Sequence, residues 1–304
     1  MIRILLKKIS KNIYYKNKKK LGIENLIDYE KSKELYLFGD GHSLKNYELK
    51  FFSDKPSISV GFISLHNQAH NLNLKYSVFG DSWIFVPIIS LLKGSFDRMF
   101  HALKDKNLNN LLRHLNPINL FKIVFFSFEK FLFENNDNLK NSNIITHSSN
   151  FPFIKKHKVN IFFDKNDILI PKIQKKLKKF NLDPYKSGLR IGIFFSILLG
   201  AKKVYLIGCD YLSQEPSTSH WYENIKPTKH KYLENEIKFI EIVSEFVDIK
   251  IIDKIPVREE NKNRYIFYED YVKDKMKCYS NSSLMKKEKL NYINRLGFYE
   301  IFDR

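Results

Sequence analysis

Cysteine is nearly missing from this chain: two residues, Cys209 and Cys278, occur in 304. They stand far apart, in neither a C-x-x-C nor any metal-ligand spacing, which argues against a zinc site and a disulfide scaffold and fits a reducing compartment. Long apolar runs are missing too. No segment reaches the roughly 20 apolar residues of a membrane-spanning helix. The first uninterrupted run, Ile4 to Leu6, is too short for a signal-peptide core, so no secretory signal is expected there. Glycine is sparse, at 11 residues, and the phosphate signatures it would build are incomplete. Gly39-Asp40-Gly41 lacks the third glycine of the dinucleotide fingerprint and the lysine of a Walker loop. Internal repeats are absent.

Acidic residues are outnumbered, 33 against 52 Lys and Arg, for a net charge of +19. Much of the excess lies in lysine runs, Lys18 to Lys20 and Lys175 to Lys179, which read first as solvated surface. They read second as attraction to an anionic partner: membrane lipid, nucleic acid or a nucleotide-linked substrate. Nucleic acid ranks last, because the charge is dispersed and no recognition motif accompanies it. An apolar and aromatic share of 43% supports a sizeable core in one large or two modest domains. In residues 1–33, Ile2, Leu5, Leu6, Ile9, Ile13 and Tyr14 share one side of a basic helix. Such a helix either lies on an anionic membrane surface or packs on the domain.

The most informative stretch runs from Ser187 to Leu212. Ser187-Gly188 opens a dense apolar run through Leu199, the pattern of a helix buried on most sides, which Gly200 ends. Val204 to Ile207 then reads as a strand stopping at Gly208-Cys209-Asp210. Helix, tight turn and central strand make half of a parallel α/β unit, in which ligands bind beyond the carboxyl ends of the strands. The free backbone N–H groups at Ser187-Gly188 form a natural anion seat.

Upstream, Leu35 to Phe38 reads as the first strand, followed directly by Gly39-Asp40-Gly41-His42-Ser43, with Ser43 expected to cap a short helix. Further strands are expected at Ser57 to Phe62, Tyr76 to Phe79, Asn143 to Thr146 and Val159 to Phe163. A parallel sheet would collect Gly39, Gly41, Asp81 and Asp210 at its carboxyl edge. Asp81 and Asp210 would bind a metal or sugar hydroxyls there, or merely cap turns. Residues 91–141 read as a basic insertion of two amphipathic helices, either core packing or a membrane-docking lid. A basic helix from Ile170 to Phe180, a long polar loop from Ser213 to His230, a helix around Tyr232 to Val243 and a closing strand from Val247 to Ile252 complete the pattern. The expected fold class is α/β, a mostly parallel central sheet flanked by helices. Its parts are a basic N-terminal segment (1–33), an α/β domain (34–255, with the insertion 91–141) and a Tyr-rich C-terminal appendage (256–304).

GDGHSLKN after the first strand, VFGDSWIF at the third, and SGLRIGIFFSILLGAKKVYLIGCDYL together resemble the bacterial sialyltransferases of the Campylobacter capsule and lipooligosaccharide type, glycosyltransferase family 42. They are about equally similar to the MptE-like proteins of surface-polysaccharide loci. The resemblance covers residues 34 to 252. It implies a Rossmann-like, GT-A-like variant and a metal-independent, inverting glycosyltransferase without a cofactor. Such an enzyme would move a sialic-acid-like residue from a CMP-activated donor to a cell-surface glycan or glycolipid, in lipopolysaccharide or capsule biosynthesis. It would sit in the cytoplasm, peripheral to the inner membrane on its anionic surface, with no nucleic-acid partner, and it admits a homo-oligomer.

The same resemblance assigns the nucleotide to Gly39, Asp40, Gly41, Ser43, Ser187 and Gly188, with Asp210 beside them and Asp81 where the family carries an Asn. Its general base is a His in a segment matched here by Ser219-His220-Trp221-Tyr222, with His230 beyond an insertion. His230, just before a helix whose dipole favours a neutral imidazole, is the first choice of base and His220 the second. Tyr211 and Tyr222 are the hydroxyls available to the departing phosphate. Two positions depart from the pattern: Leu212 replaces a Tyr and Phe62 an Asn. Two other functions fit the residues. One is an Mg-dependent pyrophosphokinase of the MptE-like type using Asp81 and Asp210. The other is a non-catalytic, membrane-associated nucleotide-binding protein.

Overall fold

The structure is a computed structural model. It describes residues 34–80, 137–147, 161–163, 170–212, 220–222, 234–254, 257 and 259–273, with Asn12 alone before them. The expected N-terminal helix, Asp81, nearly all of the basic insertion, His230 and Cys278 lie outside the described residues.

The described strands form one eight-stranded sheet: β1 (Glu34–Phe38), β2 (Pro56–Val60), β3 (Asn73–Phe79), β4 (Asn143–His147), β5 (Ile161–Phe163), β6 (Lys203–Ile207), β7 (Asp248–Asp253) and β8 (Tyr265–Phe267). Their order is β5-β4-β3-β2-β1-β6-β7-β8, and every neighbouring pair is parallel. The chain winds outward from β1 to β5, returns to the other side of β1, and winds outward again. The direction reverses between β1 and β6, where Leu37 pairs with Leu206, and this reversal opens a crevice at the carboxyl ends of the two strands.

Strand periodicity decides which side chain goes to which face. Leu35 and Leu37 of β1 join one core, with Val204 and Leu206 of β6; Tyr36 and Phe38 join the other, with Tyr205 and Ile207. The first face is covered by α2 (Pro171–Lys179), α3 (Gly188–Leu198) and α4 (Glu234–Val243), which bring Ile173, Leu177, Phe194, Phe195, Phe239 and Ile240 onto it. The second is covered by short 3-10 turns between β1 and β3, by α1 (Asp137–Lys140) and by α5 (Tyr268–Val272). Burial on both faces is what a parallel sheet requires, and it explains the continuous apolar strands.

Two expectations are corrected. The sheet does not close at residue 252: β8 adds a further parallel strand on β7, and α5 after it packs on the sheet. The Tyr36 hydroxyl donates to Asp54 and also bonds the Tyr271 hydroxyl, so β1 ties the appendage down by its aromatic groups. Nor is Ser43 a helix cap. It lies inside a 3-10 turn, His42–Asn46, whose preceding residue is Gly41.

Candidate active site

At the reversal point lies a cavity of about 770 Å³. Its wall is built from the ends of β1, β2, β3 and β6 and from the first turn of α3. The loop after β1 is laid on the loop after β6 by two backbone bonds: the Gly39 N–H donates to Ile207 O and the Gly41 N–H to Gly208 O, each 2.9 Å. Side chains would block this contact. A Cβ at Gly39 would stand 2.5 Å from Gly208 O, and one at Gly41 2.3 Å from Asp210 Oδ1. Gly208 itself turns at φ +65°, in the left-handed region that glycine allows.

Asp210 and Asp40 both line the cavity, and both are engaged by the protein. Ser43 donates its N–H to Asp210 Oδ2 (3.0 Å) and its hydroxyl to Oδ1 (2.5 Å). The Asp40 carboxylate accepts the Phe62 N–H on both oxygens (3.0 and 2.9 Å) and the Trp221 indole N–H at 3.2 Å. The bonds to Ser43 make Asp210 a brace of the first loop, and its place on the cavity wall keeps it beside any ligand there. Charge-assisted bonds of this kind are stronger than neutral ones and fix the loop shape before any ligand arrives. Among the described residues no group of three acidic, His or Cys side chains stands in a metal-holding arrangement.

The α3 start is placed as expected. Ser187 is the N-cap, its hydroxyl accepting the Arg190 N–H at 3.3 Å, and Ser187, Gly188 and Leu189 line the cavity. The start of the helix at Gly188 and Leu189 therefore stands at the crevice, with the positive end of an 11-residue helix behind it. Lys186 adds a cation to the same wall. A Cβ on Gly188 would stand 2.6 Å from Val60 Cγ1, so the helix starts hard against the end of β2.

His220 is brought to the cavity from far along the chain. It forms an antiparallel bridge with Gly41, lines the cavity, and stacks on Tyr222 with ring centroids 5.2 Å apart and planes 11° from parallel. Next to it, the Trp221 N–H donates to Asp40 O at 3.1 Å. Tyr211, in the turn Asp210–Leu212, lines the cavity as well. Tyr222 is buried behind His220, edge-on to Phe62 at 5.8 Å. Leu212 is fully buried core, and Phe62 is a buried aromatic on the cavity wall.

Sequence reasoning missed three residues. Arg190, only 1% exposed, pairs through Nε with Glu236 (3.1 Å) and donates Nη1 to Asp183 O (2.8 Å). Glu236 also accepts the Ser187 hydroxyl at 3.4 Å, so α4 holds the start of α3. The signal was the one charged residue of a helix otherwise apolar but for Ser196, a charge that demands a buried partner. The third is His66, 2% exposed, whose ring lies 4.9 Å from that of Trp221. The Gln68 N–H donates to its Nδ1 at 3.1 Å. Burial pushes its pKa down to about 4, so it is neutral at physiological pH.

His66 gives a prediction with a definite sign. Its folded pKa lies below the ordinary value of 6.5, so between these values the unfolded chain binds the extra proton. Stability should therefore be complete above pH 6.5 and fall as the pH drops toward 4, by about 3 kcal/mol from this group. Denaturant melts from pH 7.5 to 4 should show that slope. It should flatten in His66→Phe, and an unchanged slope there would assign the pH dependence elsewhere.

No family model matches the chain, and no curated protein matches it in sequence. Among solved structures it is similar to the sialyltransferase CstII from Campylobacter jejuni, determined in complex with the substrate analogue cytidine-5'-monophosphate. The identity there is 14%, with 88% of this chain and 99% of that one covered at a TM-score of 0.41. It is similar to the monofunctional alpha-2,3-sialyltransferase Cst-I from the same organism, at 17% identity over 89% and 96% of the two chains and a TM-score of 0.40. A further alpha-2,3-sialyltransferase from Campylobacter jejuni, in apo form, matches at 18% identity over 74% and 77%, with a TM-score of 0.36. Among the described residues no helix is long and apolar enough to cross a membrane.

Proposed function

We propose that this chain is a glycosyltransferase that moves a sialic-acid-like sugar from a CMP-activated donor to a hydroxyl of a cell-surface glycan or glycolipid. The observation that carries the proposal is the convergence of the resembling motifs on one cavity. The Gly39–Ser43 loop, the Ser187-Gly188 helix start, Asp210 and His220 are far apart in sequence and meet at the sheet's reversal point.

Each group has a task. The nucleotide lies across the β1 and β6 loops, whose glycines allow close backbone approach. Its phosphate faces the first turn of α3 and Lys186, and Tyr211, which lines the cavity, bonds the departing oxygen through its hydroxyl. His220 takes the acceptor hydroxyl's proton; the oxygen then attacks the anomeric carbon from the face opposite the nucleotide, the bond to phosphate breaks, CMP leaves with the bonding electron pair on its phosphate oxygen, and the configuration at the anomeric carbon is inverted. The stack on Tyr222 keeps the imidazole oriented for this step. The base is assigned to His220 because it stands on the cavity wall beside the first loop; His230, the first choice by sequence, lies outside the described residues. Asp40 and Asp210 act through shape, holding Phe62, Trp221 and Ser43.

Transfer should proceed undiminished in EDTA with a CMP-activated sugar acid as donor, followed by release of CMP and product. Loss of activity in EDTA, restored by Mg²⁺ with ATP as donor, would replace the proposal by the pyrophosphokinase. A chain that binds nucleotide and turns over no donor would be the non-catalytic binding protein.

A further inference from the structure

We infer that the outward side of α2, with the turn after it, is a docking surface for an anionic lipid bilayer. Five of the nine residues of α2 are lysines, and only Ile173 and Leu177 of the helix are buried. Its apolar side is thus consumed by the core, and its cations point to solvent. Lys176 is paired with Glu245. Among the described residues Lys172, Lys175, Lys178 and Lys179 enter no ion pair, and Lys186 follows on the same segment. From Pro171 to Lys186, six lysines face the single acid Asp183.

A solvated lysine helix needs no aromatic, yet this one ends in Phe180, 52% exposed. Phe267, at 39%, is the other large apolar side chain exposed among the described residues. The chain turns sharply at Asn181 (φ 52°), and the Leu182 N–H closes onto Leu177 O at 3.0 Å, which leaves Phe180 at the corner. The Lys238 ammonium lies 4.9 Å over its ring. Lysines around one projecting aromatic suit the headgroup region: the ring enters the acyl boundary while the cations meet lipid phosphates. A duplex nucleic acid would use the lysines but offer the ring no base to stack on. The position adds a purpose, since residues 181–186 run from this corner to the cavity wall at Tyr185 and Lys186. Docking through α2 would hold the cavity beside the bilayer, whatever reaction occurs in it.

Flotation of the full chain with phosphatidylglycerol–phosphatidylcholine vesicles tests this. Binding should be strong at low salt, weaken as salt is added, and be far lower on pure phosphatidylcholine. Each lysine at such a surface contributes roughly fivefold in partitioning, so the triple variant K175Q/K178Q/K179Q should lose on the order of a hundredfold. Phe180→Ser should weaken binding further while keeping its salt dependence. All four side chains are exposed, so the melting temperature should hold in both variants. Wild-type binding by the triple variant would place the contact elsewhere on the chain and overturn the inference. So would equal partitioning into neutral vesicles, or retention by duplex DNA in preference to anionic vesicles.

Discussion

His220→Ala should lower kcat by about 10²–10⁴-fold while leaving nucleotide affinity nearly unchanged. The expectation follows from where the ring is held. The bridge to Gly41 fixes the backbone of His220 at the cavity lip, and the Tyr222 stack fixes its plane. Nothing in that arrangement is required to hold a nucleotide between the β1 and β6 loops, so the loss should fall on the proton-transfer step. The backbone bond beside it, from Trp221 to Asp40, survives the substitution and keeps the segment in place. The companion variant is His230→Ala. If it shows the loss in kcat and His220→Ala does not, the base is His230 and His220 orients the acceptor. Full activity in both variants would remove a histidine base from the mechanism.

Gly41→Val should abolish stabilisation by CMP. A saturable ligand at a hundred times its Kd adds about 2.7 kcal/mol to wild-type stability, and the variant should gain none of it. The cause is contact geometry. A Cβ at residue 41 meets Asp210 Oδ1 at 2.3 Å and Gly208 O at 2.6 Å, a braced carboxylate and a backbone carbonyl, neither of which can swing aside. The first loop must lift off the second, breaking the Gly41 to Gly208 bond and the Ser43 bonds to Asp210. This variant should also melt at a lower temperature. Gly188→Ala adds a single methyl group, which would meet Val60 Cγ1 at 2.6 Å; valine is stiff at χ1, so the start of α3 must shift slightly while the bonds between the β1 and β6 loops stay intact. It should weaken CMP binding and lower the melting temperature less than Gly41→Val does. CMP protection retained in both variants would place the nucleotide elsewhere.

The sheet was legible because its strands are runs such as Val204 to Ile207, apolar on both faces as burial between two layers requires. Parallel order then put the residues after β1 and β6 at one edge, so the meeting of Gly39, Gly41 and Asp210 could be expected from position alone. β8 was missed because three residues, Tyr265–Phe267, lie in a charged, Tyr-rich segment whose local pattern suits a helix equally well. The duties of the polar residues were hidden for a different reason. Ser43 and Asp210 are 167 residues apart, Arg190 and Glu236 are 46 apart, and Asp40 and Trp221 181 apart, so no local pattern encodes these bonds. A sequence marks Asp40 and Asp210 as acids at a ligand edge. Only the folded arrangement shows that backbone N–H groups and a hydroxyl occupy them. His66 carried no motif at all, and its neutral state comes wholly from burial.

Occupancy of the crevice between β1 and β6 by a cytidine nucleotide can be read by hydrogen exchange of the full chain, with and without CMP. Exchange should slow at residues 39–44, 186–192 and 208–212 and stay unchanged in α5. If CMP slows none of these three segments, or if ATP or UDP protects them while CMP does not, the site or the donor has been assigned wrongly.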